Sequence, residues 1–345
     1  MATTFKNFLS NDLANTRTLL HEAIPVTGTI ASGTYSDNNI KEYGHGMFQS
    51  VYDYPHLSSS ANHIFDVTFG YHSSSAIQAL ANSQNSKKMN IYNQMAQTLV
   101  GYDATGSIKK FTTSAGTDIS DALFINFARL LTKDEIKKGS FALTALTGGT
   151  ATTLTGVGEA KMIITDTSGA TGYRVDSPAG EYGYLYDADG VEKGNLYYQA
   201  GIAVLSGGIV FDDKFGDDGD PTNAVATIGG AASFATLVTG STINAVGDGL
   251  RNRLFDLSFN NTTELNSTVY FCRVNHNDFN YSSNPTYLSG SKLRVKTMAA
   301  DAPVSYITTI GLYSADNELL AVAKLSEPLR KSSDTELTLR VRLDY

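Results

Sequence analysis

A chain of 345 residues with 41% hydrophobic residues and 31 glycines holds enough apolar material for one to three packed domains. That excludes a disordered chain and a collagen-like repeat. Only 17% of residues are charged, so Ser, Thr, Asn and Gln must supply much of the polar surface. The net charge of -8 is concentrated in residues 151–249, which carry net -9, while 1–150 carry net 0 and 250–345 net +1. An acidic middle repels phosphate, which argues against nucleic-acid binding through it.

The N-terminal stretch has no basic segment followed by an apolar one, so no secretory leader is expected, and no run approaches 18 apolar residues. Ile64 to Tyr71 alternates, with Phe65, Val67, Phe69 and Tyr71 on one face and Asp66 and Thr68 on the other, which predicts a half-buried strand. Ser73, Ser74 and Ser75 can cap a helix beginning Ala76, Ile77, Leu80, and Met89, Tyr92, Met95, Ala96 and Leu99 repeat at helical spacing up to a stop at Gly101. Asp118 to Leu131 fits two periods. Its length favours a helix burying Ile119, Leu123, Phe127 and Leu130, although Leu123, Ile125 and Phe127 also alternate.

From 150 to 249 the texture changes to short apolar runs broken by Gly-rich turns every 8–12 residues, which reads as antiparallel β-structure. Composition and charge shift together there. The organisation expected is a mixed N-terminal part over 1–149, an acidic Gly-rich β insertion over 150–249, and a β-rich part over 250–345 that completes the core domain with the first. In the last third, residues 303–313 and 318–325 read as a hairpin around Ser314-Ala-Asp-Asn317. Residues 336–345 alternate, with Leu337, Leu339, Val341 and Leu343 on one face and Thr338, Arg340, Arg342 and Asp344 on the other. Outward arginines meet solvent or an acidic partner. The fold class predicted is α+β, predominantly antiparallel and sandwich-like, with a few helices in the N-terminal part.

Few residues suggest chemistry. The single cysteine, Cys272, excludes an intramolecular disulfide and lies in a strand-like run, where it reads as a buried inert thiol. His56, His63 and His72 are spaced as no helical or loop ligand set would be, and they read as solvated or capping side chains. Counted from Asp187 as a calcium loop, position 5 is Val191 and position 12 is Tyr198, so that motif fails. The aspartates of 212–220 read as an exposed turn that could hold an incidental cation. Residues 156–161 begin like a phosphate loop but lack its Lys-Ser/Thr ending, and no nucleophile elbow or zinc-helix motif occurs. No cofactor is expected, and the chain reads as a non-enzyme. Tyr182, Tyr184, Tyr186, Tyr197 and Tyr198 cluster, and tyrosine suits either a subunit interface or a sheet core. With Arg340 and Arg342 they are the candidate interface residues.

Several segments resemble a known family. They are residues 261–287, Tyr306-Ile-Thr-Thr-Ile-Gly-Leu-Tyr313, residues 318–329, Phe65-Asp-Val-Thr-Phe-Gly-Tyr71, residues 87–95 and residues 133–141. They look like a family of virion structural proteins of contractile-tailed (myovirus) phages of marine and cyanobacterial hosts. The resemblance implies a component of the phage tail, baseplate or neck, made in the host cytoplasm and carried in the virion. It implies partners that are copies of the chain and other tail proteins, with neither nucleic acid nor membrane, and it supplies no catalytic residues. The leading expectation is a baseplate subunit. The alternatives are a neck or collar protein, or a tail-fibre module recognising a host receptor or glycan.

Overall fold

A computed structural model describes residues 5–27, 37–75, 83–146, 161–206, 241–281, 288–289, 292–293 and 304–345. The chain divides into two compact units, Leu20–Thr263 and Met1–Leu19 with Glu264–Tyr345. Two long strands, β1 (Leu13–Ile24) and β15 (Leu254–Val274), each contribute residues to both. The architecture is mostly antiparallel β-structure with a few helices, as the turn spacing and alternation predict.

The larger unit holds β2 (Ile40–Glu42), β3 (Gln49–Tyr52), β4 (His63–Tyr71), β5 (Phe111–Thr112), β6 (Asp118–Ile119), β7 (Asp121–Phe127), β8 (Glu135–Ile136) and β9 (Ala142–Leu146). It continues with β10 (Lys161–Thr165), β11 (Arg174–Ser177), β12 (Gly180–Tyr186), β13 (Glu192–Tyr197) and β14 (Ile202–Ser206). Its helices are α1 (Asn85–Leu99), α2 (Arg129–Thr132), α3 (Gly169–Gly172) and α4 (Ile243–Arg253). The sheet runs β15-β9-β10-β12-β13-β14-β7-β4-β3-β2, with β11 added on β12 and β8 on β15.

The middle of this sheet is covered on both faces. One face carries Phe65, Val67, Phe69, Leu123, Ile125, Leu196 and Leu205 in a single buried cluster with Val246 and Leu250 of α4. The other carries Ala122, Phe124, Tyr197 and Val204 under Ile91, Tyr92, Ala96 and Leu99 of α1. Gly70 permits the second layer. A Cβ there would stand 2.7 Å from both the Lys88 carbonyl oxygen and the Tyr92 nitrogen, so only glycine lets α1 lie this close to β4. The helix ends where expected, with Gly101 at φ +86° and its N–H bonded to the Ala96 carbonyl.

Double cover explains the departures from expectation. Strand β4 is buried on both sides, Thr68 included, and is not half-buried. Residues 121–127 form strand β7, paired Phe69 to Leu123 and Val67 to Ile125, where a helix is the sequence expectation. A strand covered on two faces is apolar throughout, which removes the alternation that marks strands. The strands of 161–206 belong to the same sheet as β4 and β7, so the sheet does not break at residue 150. Among the described residues, the glycine-containing turns at 177–180 and 187–191 are hairpin turns within one unit. Helix α4 lies outside the N-terminal part; Thr242 caps it by accepting the Ala245 N–H at 3.2 Å, while Gly247 and Gly249 disguise it in the sequence. The helix expected from Ala76 and the acidic turn at 212–220 lie outside the described residues.

In the smaller unit, the second half of β15 pairs with β20 (Leu337–Asp344), from Ser267 opposite Asp344 to Val274 opposite Leu337. Strand β20 alternates as predicted, with Val341 buried and Thr338, Arg340, Arg342 and Asp344 exposed. Short strands β16 (Leu288–Ser289) and β17 (Lys292–Leu293) pair with each other. Then come β18 (Val304–Tyr313) and β19 (Leu319–Ser332), the predicted hairpin, whose turn places Asn317 at φ +64°, a conformation asparagine tolerates. Its register runs Ile307 opposite Leu329 and then Thr309 opposite Lys324, so residues 325–328 bulge from β19.

Candidate assembly surface

The five tyrosines separate by depth. Tyr182, Tyr184 and Tyr186 lie on β12, and Tyr197 opposes Tyr182 on β13. The Tyr182 and Tyr197 rings stack at 5.1 Å, and Tyr182 meets Tyr184 edge-on at 5.9 Å. Tyr197 and Tyr198 are buried, one in each hydrophobic cluster, and burial pushes both phenols upward. They are core residues of this chain, so an intersubunit role does not fall to them; successive residues on a strand point to opposite faces, and here both faces are covered. Tyr184 is buried as well, whereas Tyr182 and Tyr186 are half-buried.

Around Tyr198 the charges are internally satisfied. Asp166 accepts the Gly139 and Phe141 N–H groups at 2.7 and 2.8 Å, and burial raises its carboxyl group despite them. Lys138 pairs with Glu181 at 2.6 Å and lies over the Tyr173 and Tyr198 rings. This is a clamp between turns, with Asp166, Lys138 and Glu181 each committed to a structural partner.

The remaining candidates resolve similarly. His56 meets the Asn38 carbonyl, His63 meets Asp66 and His72 meets the Ser74 hydroxyl, each with its own partner. Ser50 donates to Asp66 at 2.5 Å and His63 bonds the same carboxylate oxygen at 2.8 Å. The carboxylate therefore stands between hydroxyl and imidazole, and the imidazole cannot take the serine proton as a nucleophilic triad requires. Asp187 ties the β12–β13 hairpin turn by accepting the Asp189 and Val191 N–H groups, and it pairs with Lys193 at 3.2 Å. Cys272 is half-buried, and burial followed by the Asp12 charge raises its thiol, which leaves it a poor nucleophile. Among the described residues no group of three His, Cys, Asp or Glu side chains converges as a metal site. No helix among them is long and apolar enough to cross a membrane.

Of the two arginines, Arg342 is engaged within its own unit, donating to Asp344 at 2.7 Å and to the Ser267 hydroxyl at 3.0 Å. Arg340 is exposed and has no ion-pair partner among the described residues.

What sequence reading missed is the apolar exposure of the smaller unit. Tyr306, Tyr313, Leu319, Leu320 and Val322 all face solvent on the β18–β19 hairpin, with Leu320 at 69% exposure. Phe5, itself exposed, meets the Tyr313 ring at 5.0 Å. Among the described residues the hairpin is a two-stranded sheet of its own, so both of its outer edges present unpaired backbone groups. The available signal was β18 itself, ten residues without a charge. Comparison with protein-family models, with curated proteins and with solved structures finds no match for the chain.

Proposed function

We propose that this chain is a structural subunit of a tailed-bacteriophage virion, a baseplate component that acts through contacts with copies of itself and with other tail proteins. It makes and breaks no bond in doing so. The observation that carries this reading is the β18–β19 hairpin, which offers strand edges unpaired among the described residues and exposed tyrosine, leucine and valine side chains. Exposed apolar clusters of this kind mark protein contact surfaces, because leaving them in water forfeits about 25 cal/mol for each Å² that a partner would cover. The low charge content supports it, since hydroxyl and amide groups desolvate at an interface more cheaply than ammonium or carboxylate. So does the ordering of Ser50, Asp66 and His63, in which the carboxylate lies between hydroxyl and imidazole and no serine–histidine relay forms.

The test is a density map of the whole particle into which the chain is fitted. Copies embedded in the baseplate, with the hairpin against a neighbour, are the expected result. Placement at the collar or along a fibre tip would replace the baseplate by one of the alternative sites, and absence from the particle would overturn the proposal.

A further inference from the structure

The hairpin's two outer edges, each unpaired among the described residues, differ in a way that points to one occupant. Strand β19 is guarded as isolated edges are in native proteins, with Lys324, Glu327 and Arg330 along it, Pro328 unable to donate, and the bulge at 325–328. Strand β18 has none of these devices. Its sequence, Val304-Ser-Tyr-Ile-Thr-Thr-Ile-Gly-Leu-Tyr313, is uncharged, rich in β-branched and aromatic residues and free of proline, and Tyr306, Thr308, Thr309 and Gly311 are exposed.

We infer that β18 pairs edge to edge, antiparallel, with β18 of a second copy about a two-fold axis at Thr308. This deepens the proposed function and rests on it, since it names one contact of the assembly. Antiparallel pairing joins residues whose side chains share a face, so a two-fold operator can match residue i only with residues of the same parity. Centred on Thr308, the register sets Tyr306 against Ile310, Val304 against Leu312 and Thr308 against its own copy. On the other face Ile307 meets Thr309 and Ser305 meets Gly311. Every pair is uncharged, and the aromatic–aliphatic and Thr–Thr pairs are those that stabilise sheets. Such pairing uses both unguarded edges and leaves only the two guarded β19 edges outside, so association stops at a four-stranded sheet. A strand from an unrelated protein would gain the backbone bonds without that closure, and so a second copy is the occupant the edge chemistry selects.

The test uses the full chain and a charge swap at the axis. Sedimentation equilibrium of the unaltered chain is expected to show a dimer. Thr308→Lys and Thr308→Glu, each at an exposed position, place like charges opposite one another and should each weaken dimerisation at least about tenfold. An equimolar mixture of the two should restore it, because lysine then faces glutamate. Restoration also shows that neither variant has lost its fold, and Glu327→Lys on the guarded edge should leave the dimer intact. A chain that is monomeric throughout, variants that dimerise as the parent does, or a mixture that stays dissociated would each overturn the inference. A monomer in solution that is nonetheless found in the particle would defeat the edge pairing while leaving the virion assignment standing.

Discussion

Lys88 has no exposed surface, and its ammonium donates to the Ser241 carbonyl at 2.9 Å. Burial pulls its pKa down from 10.5 to about 8. A lysine depressed on folding binds fewer protons folded than unfolded between those two values, so its contribution to stability rises with pH from about 8 to about 10.5 and is constant below. The span corresponds to roughly 3 kcal/mol. Unfolding by urea across this range should show the parent gaining stability relative to Lys88→Met, and parallel curves for the two would refute the assignment. At the same scale, Tyr198→Ala is expected to cost about 3–5 kcal/mol, as other large aromatic truncations in cores do. Tyr186→Ala, at a half-buried position, should cost far less, and denaturation midpoints of the two variants measure the difference. The tyrosines therefore divide by what packs over each position, since Tyr182 and Tyr197 share a face yet differ in depth, and residue type does not disclose it.

Among the elements, the contact of α1 with β4 depends on one absent side chain. Gly70→Ala puts a methyl group 2.7 Å from two backbone atoms of the helix, so α1 must lift from the sheet. Overpacking of this kind costs about 1–3 kcal/mol. The expected signature is a lowered melting temperature with amide exchange accelerated over residues 85–99, and unchanged exchange in that helix would show that the contact yields elsewhere. Helix α1, the β18–β19 hairpin and β20 were legible in the sequence because each keeps one wet face, so its period survives in the residue pattern. Strand β7 was not, since Leu123, Ile125 and Phe127 enter one cluster while Ala122 and Phe124 enter the other. Helix α4 was hidden by Gly247 and Gly249, residues that a helix interior disfavours.

For the molecule as a whole, the net charge of -8 and the exposed hairpin set its expected associations. Duplex DNA should pass the chain unchanged in a mobility assay at about 0.15 M salt, where an acidic surface gains nothing from counterion release. A retarded band would mean that local basic groups outweigh the overall sign. Charge distribution also suggested a boundary at residue 150, yet the sheet crosses it, and the compact units part at Leu19/Leu20 and Thr263/Glu264. Charge follows what each surface faces, and chain division follows which apolar faces meet. The two need not coincide.

The residue pattern alone determined the β-rich class, the helix ending at Leu99, the terminal alternation from Leu337 and the want of any spaced ligand or nucleophile motif. These are local properties, set by period and by the chemistry of neighbours in the chain. Only the tertiary structure decided that β7 is a strand, that Tyr197 and Tyr198 are core, that Asp66 separates Ser50 from His63, and that β18 has an edge unpaired among the described residues. Each of those depends on which distant segment lies alongside, and burial and pairing are settled between segments rather than within them.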